Sequence, residues 1–462
     1  MADLDVLDPG FPPAGEDAWR ALVAKTLGDK PFESLNKATV EGLPIAPLYA
    51  AAERPAAFPP RPFDAERPWD LRTRSAHPDP ARVNAELLAD LEGGAASVIV
   101  AGHATADALA VALQGVVVEF APVGLDAGFA GPKAADALHA VAKSSPQALL
   151  NFNLDPLSAF AEAGVSPGPI ESHIVSAATV GLRLAQTYPK AQLFLASGRV
   201  AHEAGGGEAL EVAVAACSAI AYAKALVRAG APVAEAFARI TLGLSADADY
   251  FVTLAKLRAA RAVFARIAEA SGAAGQARIE ARSSRRMLTA QDAWTNMIRL
   301  TVAGFGAAAG GADAVALGTF TDAIGLPTAF ARRQSRNAQL VLMEEANIGR
   351  VADPAAGSGY LETLTDQIAR AAWDRLQAIE AGGGIVAALE GGLIARECQA
   401  ATAARGEPKI LGVTAFPPTD AAPVEVETDP PAQAPEVRVP GPDGVCVALK
   451  PVRLSAKYEA AA

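Results

Sequence analysis

Short apolar runs alternate with long alanine-rich stretches through most of this 462-residue chain. The runs are ASVIVAG (96–102), GVVVEFAPV (115–123), ALLNFNL (148–154), QLFLASG (192–198), ARIEARSS (277–284), AVALGTF (314–320) and IGRVADP (348–354). Most are continuously apolar, the pattern of parallel strands covered on both faces. Parallel neighbours need a crossover, usually a helix, and the intervening stretches supply one. The stretch that starts at Glu208 stops at Gly230, as capping preferences require. A second helix, about 250–270, is predicted to turn Phe251, Leu254, Leu257, Val263, Phe264 and Ile267 inward. Its Lys256, Arg258, Arg261 and Arg266 are predicted to face outward. A third, about 360–381, spaces Leu361, Leu364, Ile368, Ala372, Leu376 and Ile379 by three or four before Gly382-Gly383-Gly384. Seven runs, with a weaker eighth around 70–90, predict an α/β fold, an eight-stranded β/α (TIM) barrel. A doubly wound open sheet is the alternative. No G-x-G-x-x-G opens a helix after the first strand, which counts against its dinucleotide-binding version.

The flanks read differently. Residues 1–66 are punctuated by proline, as in DPGFPP and ERPAAFPPRPF, and favour an extended arm over a packed domain. Trp19, Phe32, Leu48 and Tyr49 are anchors that a solvated leader would not need, so the arm is expected to lie on another surface. After about residue 410 proline and acid dominate again, and residues 411–462 read as a linker-like tail whose last segment could dock as a short strand. The barrel is assigned 67–410.

A formal charge of −11 argues against a nucleic-acid partner, which needs clustered Lys and Arg. Cys217, Cys398 and Cys446 are far apart and suggest a reducing compartment. The acidic, proline-containing N-terminus is unlike a signal peptide, and no uninterrupted apolar run of about 18 residues indicates a membrane span. A cytoplasmic protein is expected.

The residues alone carry little chemistry. None of the five histidines pair at metal-ligand spacing. His103, at a strand end, is the best positional candidate for catalysis. Gly205-Gly206-Gly207 could cradle phosphate, but a tight turn explains it better. Glu344 and Glu345 are adjacent, so on a helix they do not form a dyad. ARSSRRM (281–287) has the best claim to an anion.

LTAQDAWTNMIRLTVAGFGAAAGG (288–311), then GLPTAFARRQSRNAQL and DPAAGSGYLETLTDQIARAAWDRLQAIEAGGG, resemble the acyl-CoA mutase family that includes methylmalonyl-CoA mutase. The recurring motifs are LTAQD, LPT-F--R--RN-QL, DP--GS-Y-E-LT and AW------E--GG, in order over about 100 residues. Weaker similarity runs from RPWDLR (67–72) through ASGRVAHEAGG to ILGVTAFPP (410–418), and the arm looks like the start of the family's small subunit. The resemblance implies a β/α barrel, followed in the family by a cobalamin-binding flavodoxin-like domain. It also implies a radical carbon-skeleton rearrangement driven by adenosylcobalamin.

Compared position by position, the family's site is degenerate here. Catalytic members read S-G-Y-H where this chain has Ser197-Gly198-Arg199-Val200. Arg199 brings a fixed charge and Val200 cannot donate, while His202 lies two positions late. The tyrosine above the cobalamin is replaced by Arg74, within Thr73-Arg74-Ser75-Ala76-His77. A family H-S-Q is Glu280-Ala281-Arg282, and the N-x-x-x-E that contacts the adenosyl group is Gly318 and Asp322. No D-x-H occurs, so no cobalt-ligating motif, cobalamin-binding flavodoxin-like domain or bound cofactor is expected in this chain. The resemblance thus implies a non-catalytic subunit beside a large catalytic subunit that holds adenosylcobalamin and receives the acyl-CoA. A split mutase with a separate cobalamin domain, or an acyl-CoA binding module without a mutase partner, are the alternatives.

Overall fold

The computed structural model describes residues 15–50, 58–62, 64, 66–420, 422–433 and 444–459. The acidic N-terminal leader and residues 51–57 of the arm lie outside them.

Eight parallel strands close into a barrel. They are β1 (Asp70–Ser75), β2 (Ser97–Ala101), β3 (Val123–Asp126), β4 (Leu150–Leu154), β5 (Gln192–Ser197), β6 (Ile240–Ala246), β7 (Arg278–Ser283) and β8 (Ala314–Ala316). Each pairs with its neighbour in sequence, and β8 pairs back onto β1. The α/β barrel expected from the alternating pattern is therefore the fold. Its outer layer includes α1 (Pro80–Glu92), α2 (Ala106–Ala112), α3 (Gly131–Ala142), α4 (Pro156–Ala163) and α5 (Ile170–Thr187). It continues with α6 (Arg199–Glu203), α7 (Glu208–Arg228), α8 (Tyr250–Ala270), α9 (Asn296–Ala309) and α10 (Ala329–Leu340). A further helix, α11 (Gly359–Ala381), packs over α7 and α8. Side-chain oxygens start several of these helices: Asp79 caps α1, Asp155 α4, Asp249 α8 and Ser358 α11.

Three strand expectations need correction. The run at 115–123 is mostly turn, with Gly115 at φ +80°, Val117 53% exposed and Phe120 81% exposed, and the strand starts only at Val123. Residues 348–354 hold a 3-10 turn, Ile348–Arg350, and no strand. The strand missed is β6, ITLGLSA, all seven residues of which are buried. Its Thr, Gly and Ser read as turn residues, but they are small because the barrel wall is crowded there. A Cβ on Gly243 would lie 3.0 Å from the Ser197 side chain. The weak signal at 70–90 divides into β1 and most of α1.

Of the outward face predicted for 250–270, only Arg266 is exposed. Lys256, Arg258 and Arg261 are buried, whereas Phe251 is 39% exposed. With β-strands on one side and α11 on the other, α8 has little surface left for water. Its cations are paired instead: Lys256 with Glu211, Arg258 with Asp353 and Glu362, and Arg261 with Asp313. The same layering explains α7. It is long and apolar enough to cross a membrane by length and composition, but 78% of its apolar window is buried inside the protein.

The arm divides in two. Residues 15–36 form a helix, Glu16–Leu27, and a 3-10 turn, Phe32–Leu35, that pack mainly on each other. Trp19 meets Phe32 edge-on at 5.7 Å and Arg20 lies 4.6 Å over the Phe32 ring. Residues 37–50 and 58–62 instead touch the barrel. Glu41 accepts hydrogen bonds from the N–H groups of Ala209 (2.7 Å) and Leu210 (3.1 Å), satisfying orphan donors at the start of α7. Tyr49 packs on Tyr360, and buried Arg61 donates to the carbonyls of Ala308 and Ala312. Glu41→Ala is expected to cost about 1–2 kcal/mol, as loss of a helix cap does. Urea unfolding should show a lower midpoint with an unchanged slope.

The tail is also more than a linker. Gly444–Val445 pairs antiparallel with Val165–Ser166, and the N–H groups of Leu449, Val452 and Leu454 donate to the carbonyls of Ala161, Glu203 and Arg286. Upstream, Ala432 N–H donates to the carbonyl of Ala76. Few backbone donors are needed for this, so a proline-rich composition is compatible with docking.

Candidate functional site

A cavity of about 550 Å³ opens at the C-terminal ends of the barrel strands, where β/α barrels place their chemistry. Six of the seven positions singled out from sequence line it: Arg74 at the end of β1, Arg199 and Val200 after β5, Arg282 on β7, and Gly318 and Asp322 after β8. Glu280 is not in the lining. It is buried one layer below and receives Arg72 (2.5 Å) and Arg282 (2.6 Å).

Backbone sterics bring these groups to the mouth. A Cβ on Gly198 would fall 2.0 Å from the carbonyl oxygen of Glu211, so only glycine allows the sharp exit from β5 that presents Arg199. A Cβ on Gly318 would lie 2.3 Å from the Asp322 carboxylate. The β4–β5 pairing is irregular between Asn151 and Leu154, and Asn153 has φ +47°. Such a bulge re-aims side chains beside a site, and Asn153 joins the lining.

Fixed charges dominate the mouth. Asp126 is bridged by Arg74 (2.9 Å) and Arg282 (3.1 Å). Burial opposes its ionisation, but the two guanidiniums outweigh that and hold its carboxyl well below the usual range. Glu280 is likewise pushed down to about 2 against its burial, by Arg282 and Arg72. Asp155, at the end of β4, behaves oppositely. Burial pushes it up to about 7, despite hydrogen bonds from the Ser158 N–H and the Tyr222 hydroxyl. Asp126, Asn153 and Asp155 were not identified from sequence. The only available signal was that each sits at or next to the last residues of a barrel strand.

The arrangement offers Arg74 and Arg282 already bound to Asp126, an aliphatic Val200 beside Arg199, and acid/base groups that include His77, Asp155, Glu162 and Glu203. His103 is buried, with Nε2 3.0 Å from the carbonyl of His77, and is not in the lining. His202 is completely buried as well, with Nε2 3.0 Å from Ser284 Oγ and Nδ1 3.1 Å from Glu211. This Ser–His–Glu order resembles a hydrolytic triad, but both Ser284 and His202 are fully buried away from the cavity, and Asp247 also approaches Nε2 at 3.3 Å. Without room for an acyl group it is a structural network. The Gly205–Gly207 loop does not cradle an anion: its carbonyls accept from Arg286 and Arg405, and Glu41 already occupies the α7 N-terminus. Of the ARSSRRM arginines, Arg286 is buried on Asp247, Arg285 is exposed and Arg282 reaches the mouth.

A sequence model described as methylmalonyl-CoA mutase matches residues 104–439. The chain belongs to the methylmalonyl-CoA mutase family. It is similar to the methylmalonyl-CoA mutase small subunit of Streptomyces virginiae, 38% identical over 465 residues, covering 93% of this chain and 75% of that protein. The small subunit from Propionibacterium freudenreichii subsp. shermanii is 33% identical over 482 residues, covering 94% and 74%. A probable small subunit of Mycobacterium tuberculosis (strain ATCC 25618 / H37Rv) is 38% identical over 428 residues, covering 85% and 68%.

Several residues of the motifs that resemble this family hold the scaffold, while Leu326 and Pro327 of the LPT motif also line the mouth. Arg258 joins Asp353 and Glu362 of DP--GS-Y-E. Arg336 of the LPT motif binds Asp90, as does Arg332 beside the motif's Arg333, and Gln339 accepts from the indole of Trp69.

Proposed function

We propose that this chain is the non-catalytic small (β) subunit of a heterodimeric methylmalonyl-CoA mutase. A large subunit carries the chemistry, interconverting methylmalonyl-CoA and succinyl-CoA by a radical mechanism. The observation that carries this reading is the mouth itself. Arg74, Arg199 and Arg282 stand where the resemblance places a tyrosine, a tyrosine and part of an H-S-Q motif, and Val200 replaces a histidine. Guanidiniums do not give up a proton at physiological pH and do not reproduce a phenol–imidazole pair.

Adenosylcobalamin does not fit these residues. A corrin needs an open face above the barrel, but Pro431, Leu449 and Pro451 contribute to the lining there. The cofactor is therefore assigned to the large subunit, and the acyl-CoA reaches the complex through that partner. In this reading residues 1–66 contact the partner, 67–410 are a supporting barrel and 411–462 are a tail of which Pro431, Leu449 and Pro451 line the mouth. The complex is an isomerase, and its compartment is the cytoplasm.

The double variant Arg199→Tyr/Val200→His is expected to remain inactive alone, because Arg74, Glu280, Arg282 and Gly318 are unchanged and positioning is lost by small displacements. Steady-state assay of the purified variant with added adenosylcobalamin and methylmalonyl-CoA tests this. Measurable turnover would show that the site needs only two substitutions.

A further inference from the structure

Residues 444–459 cross the barrel mouth and are tied to three separate parts of its rim. At the C-terminal end of α4, the carbonyls of Gly164 and Ala161 accept from the N–H groups of Cys446 (2.9 Å) and Leu449 (2.8 Å). On α6, the Glu203 carbonyl accepts from the Val452 N–H (2.8 Å). Beyond β7, the Arg286 carbonyl accepts from the Leu454 N–H (3.0 Å) and the Leu288 carbonyl from the Ser455 hydroxyl. The Glu459 carboxylate ends the crossing, accepting from the N–H groups of Ala290 (2.7 Å) and Gln291 and from Arg453. Close approach is built in. Gly164 has φ +80°, and a Cβ there would lie 2.9 Å from that of Ala448.

These ties are polar and peripheral. Among residues 444–459 only the side chains of Cys446, Leu449 and Ser455 are buried, and Val445 and Val447 are exposed. A segment that buries so few apolar groups gains little to offset the entropy of ordering it, and such segments open more easily than the core. Leu449 and Pro451 are what this crossing adds to the cavity lining. The earlier crossing, which carries Pro431, docks elsewhere, with the N–H groups of Glu427 and Ala432 on the carbonyls of Leu326 and Ala76. These anchors are not shared, so the later crossing can leave by itself. We propose that residues 444–459 are a releasable strap, which lifts from α4, α6 and the β7–α9 connection as one unit and opens that side of the barrel mouth while the barrel stays folded. The inference concerns this chain alone and stands whichever subunit performs the rearrangement.

Cys446 is the natural reporter. It is buried while the strap is docked, and burial pushes its thiol up to about 11, so it then reacts poorly. Cys217, fully buried in α7, reports unfolding of the barrel. The test labels the full chain with iodoacetamide across a urea series below the unfolding transition and maps the sites by mass. Cys446 is expected to react about a hundredfold or more faster than Cys217, with a much shallower urea dependence. Glu459→Ala, at the far end of the strap and outside the cavity lining, should speed Cys446 labelling about tenfold. Ser455→Ala should act in the same direction. The mouth is read with Val200→Cys in a Cys446→Ser background, labelled by a polyethylene-glycol maleimide; Glu459→Ala should raise that rate by the same factor. One shared rate and urea dependence for Cys446 and Cys217 would overturn the proposal, because strap and barrel would then open only together. An unchanged Cys446 rate in both Glu459→Ala and Ser455→Ala would mean local fraying instead of release as a unit and would overturn it too. So would Val200→Cys labelling that is indifferent to Glu459→Ala.

Discussion

Lys256→Met is expected to destabilise the full chain by about 3–5 kcal/mol, the cost of leaving one member of a buried ion pair alone. Methionine nearly preserves the volume, so the loss is electrostatic rather than a cavity. Lys256 and Glu211 are 1% and 0% exposed and 2.6 Å apart, inside the layer between α7 and α8. Burial alone would raise Glu211, but Lys256 and then His202 hold its carboxyl far below the usual range. Its other oxygen accepts from the N–H of Ser245 on β6. Glu211→Gln keeps that acceptor and removes the charge, so Lys256→Met/Glu211→Gln should recover more than half of the loss. Urea unfolding of both variants measures the coupling. The pH dependence has a defined sign. Glu211 and Asp247 both ionise more readily when folded. Their stabilisation is therefore complete above the ordinary carboxylate pKa of about 4 and is lost progressively as pH falls below it. Lys256→Met should flatten this acid limb.

Removal of residues 2–36 is expected to abolish co-purification with the large subunit while leaving the barrel folded. No described residue between 15 and 50 is buried, and Leu22 is 64% exposed. Trp19 and Phe32 pack mainly with each other, a small gain for two rings that would do better in a partner's pocket. The cut is placed before Glu41, so the α7 cap survives and stability should change by less than about 0.5 kcal/mol. Co-expression with the large subunit, followed by affinity capture and an activity assay, checks the outcome. A truncated chain that co-purifies and supports activity like the intact one would show that the partner does not need the arm.

The barrel was legible because its pattern is strong: buried parallel strands are continuous apolar runs and their crossovers are long. β6 was not, because Thr241, Gly243 and Ser245 are small for packing reasons that no local pattern reveals. The apolar 115–123 run misled for the converse reason. Val117 and Phe120 are exposed, and exposed apolar residues obey no periodicity. The outward reading of Lys256, Arg258 and Arg261 failed because partners far away in the chain cover them: Glu211 on α7, Asp353 just before α11 and Glu362 at its start, and Asp313 before β8. At the mouth, motif comparison picked out six positions that line the cavity, but not their electrostatics. Asp126 bridges arginines from β1 and β7, and only barrel closure brings those strands to it. Asp155 looks like an ordinary helix cap in sequence, and burial beneath the mouth makes it a group that titrates near neutrality.

The central claim is that this chain supports a catalytic partner and performs no rearrangement itself. The most direct measurement is methylmalonyl-CoA turnover, with adenosylcobalamin, by the purified chain, by the large subunit and by their 1:1 mixture. The expected result is no turnover and no retained cobalamin spectrum for this chain alone, with full activity in the mixture. Turnover by the isolated chain, or a cobalamin spectrum that survives its purification without the partner, would contradict the account.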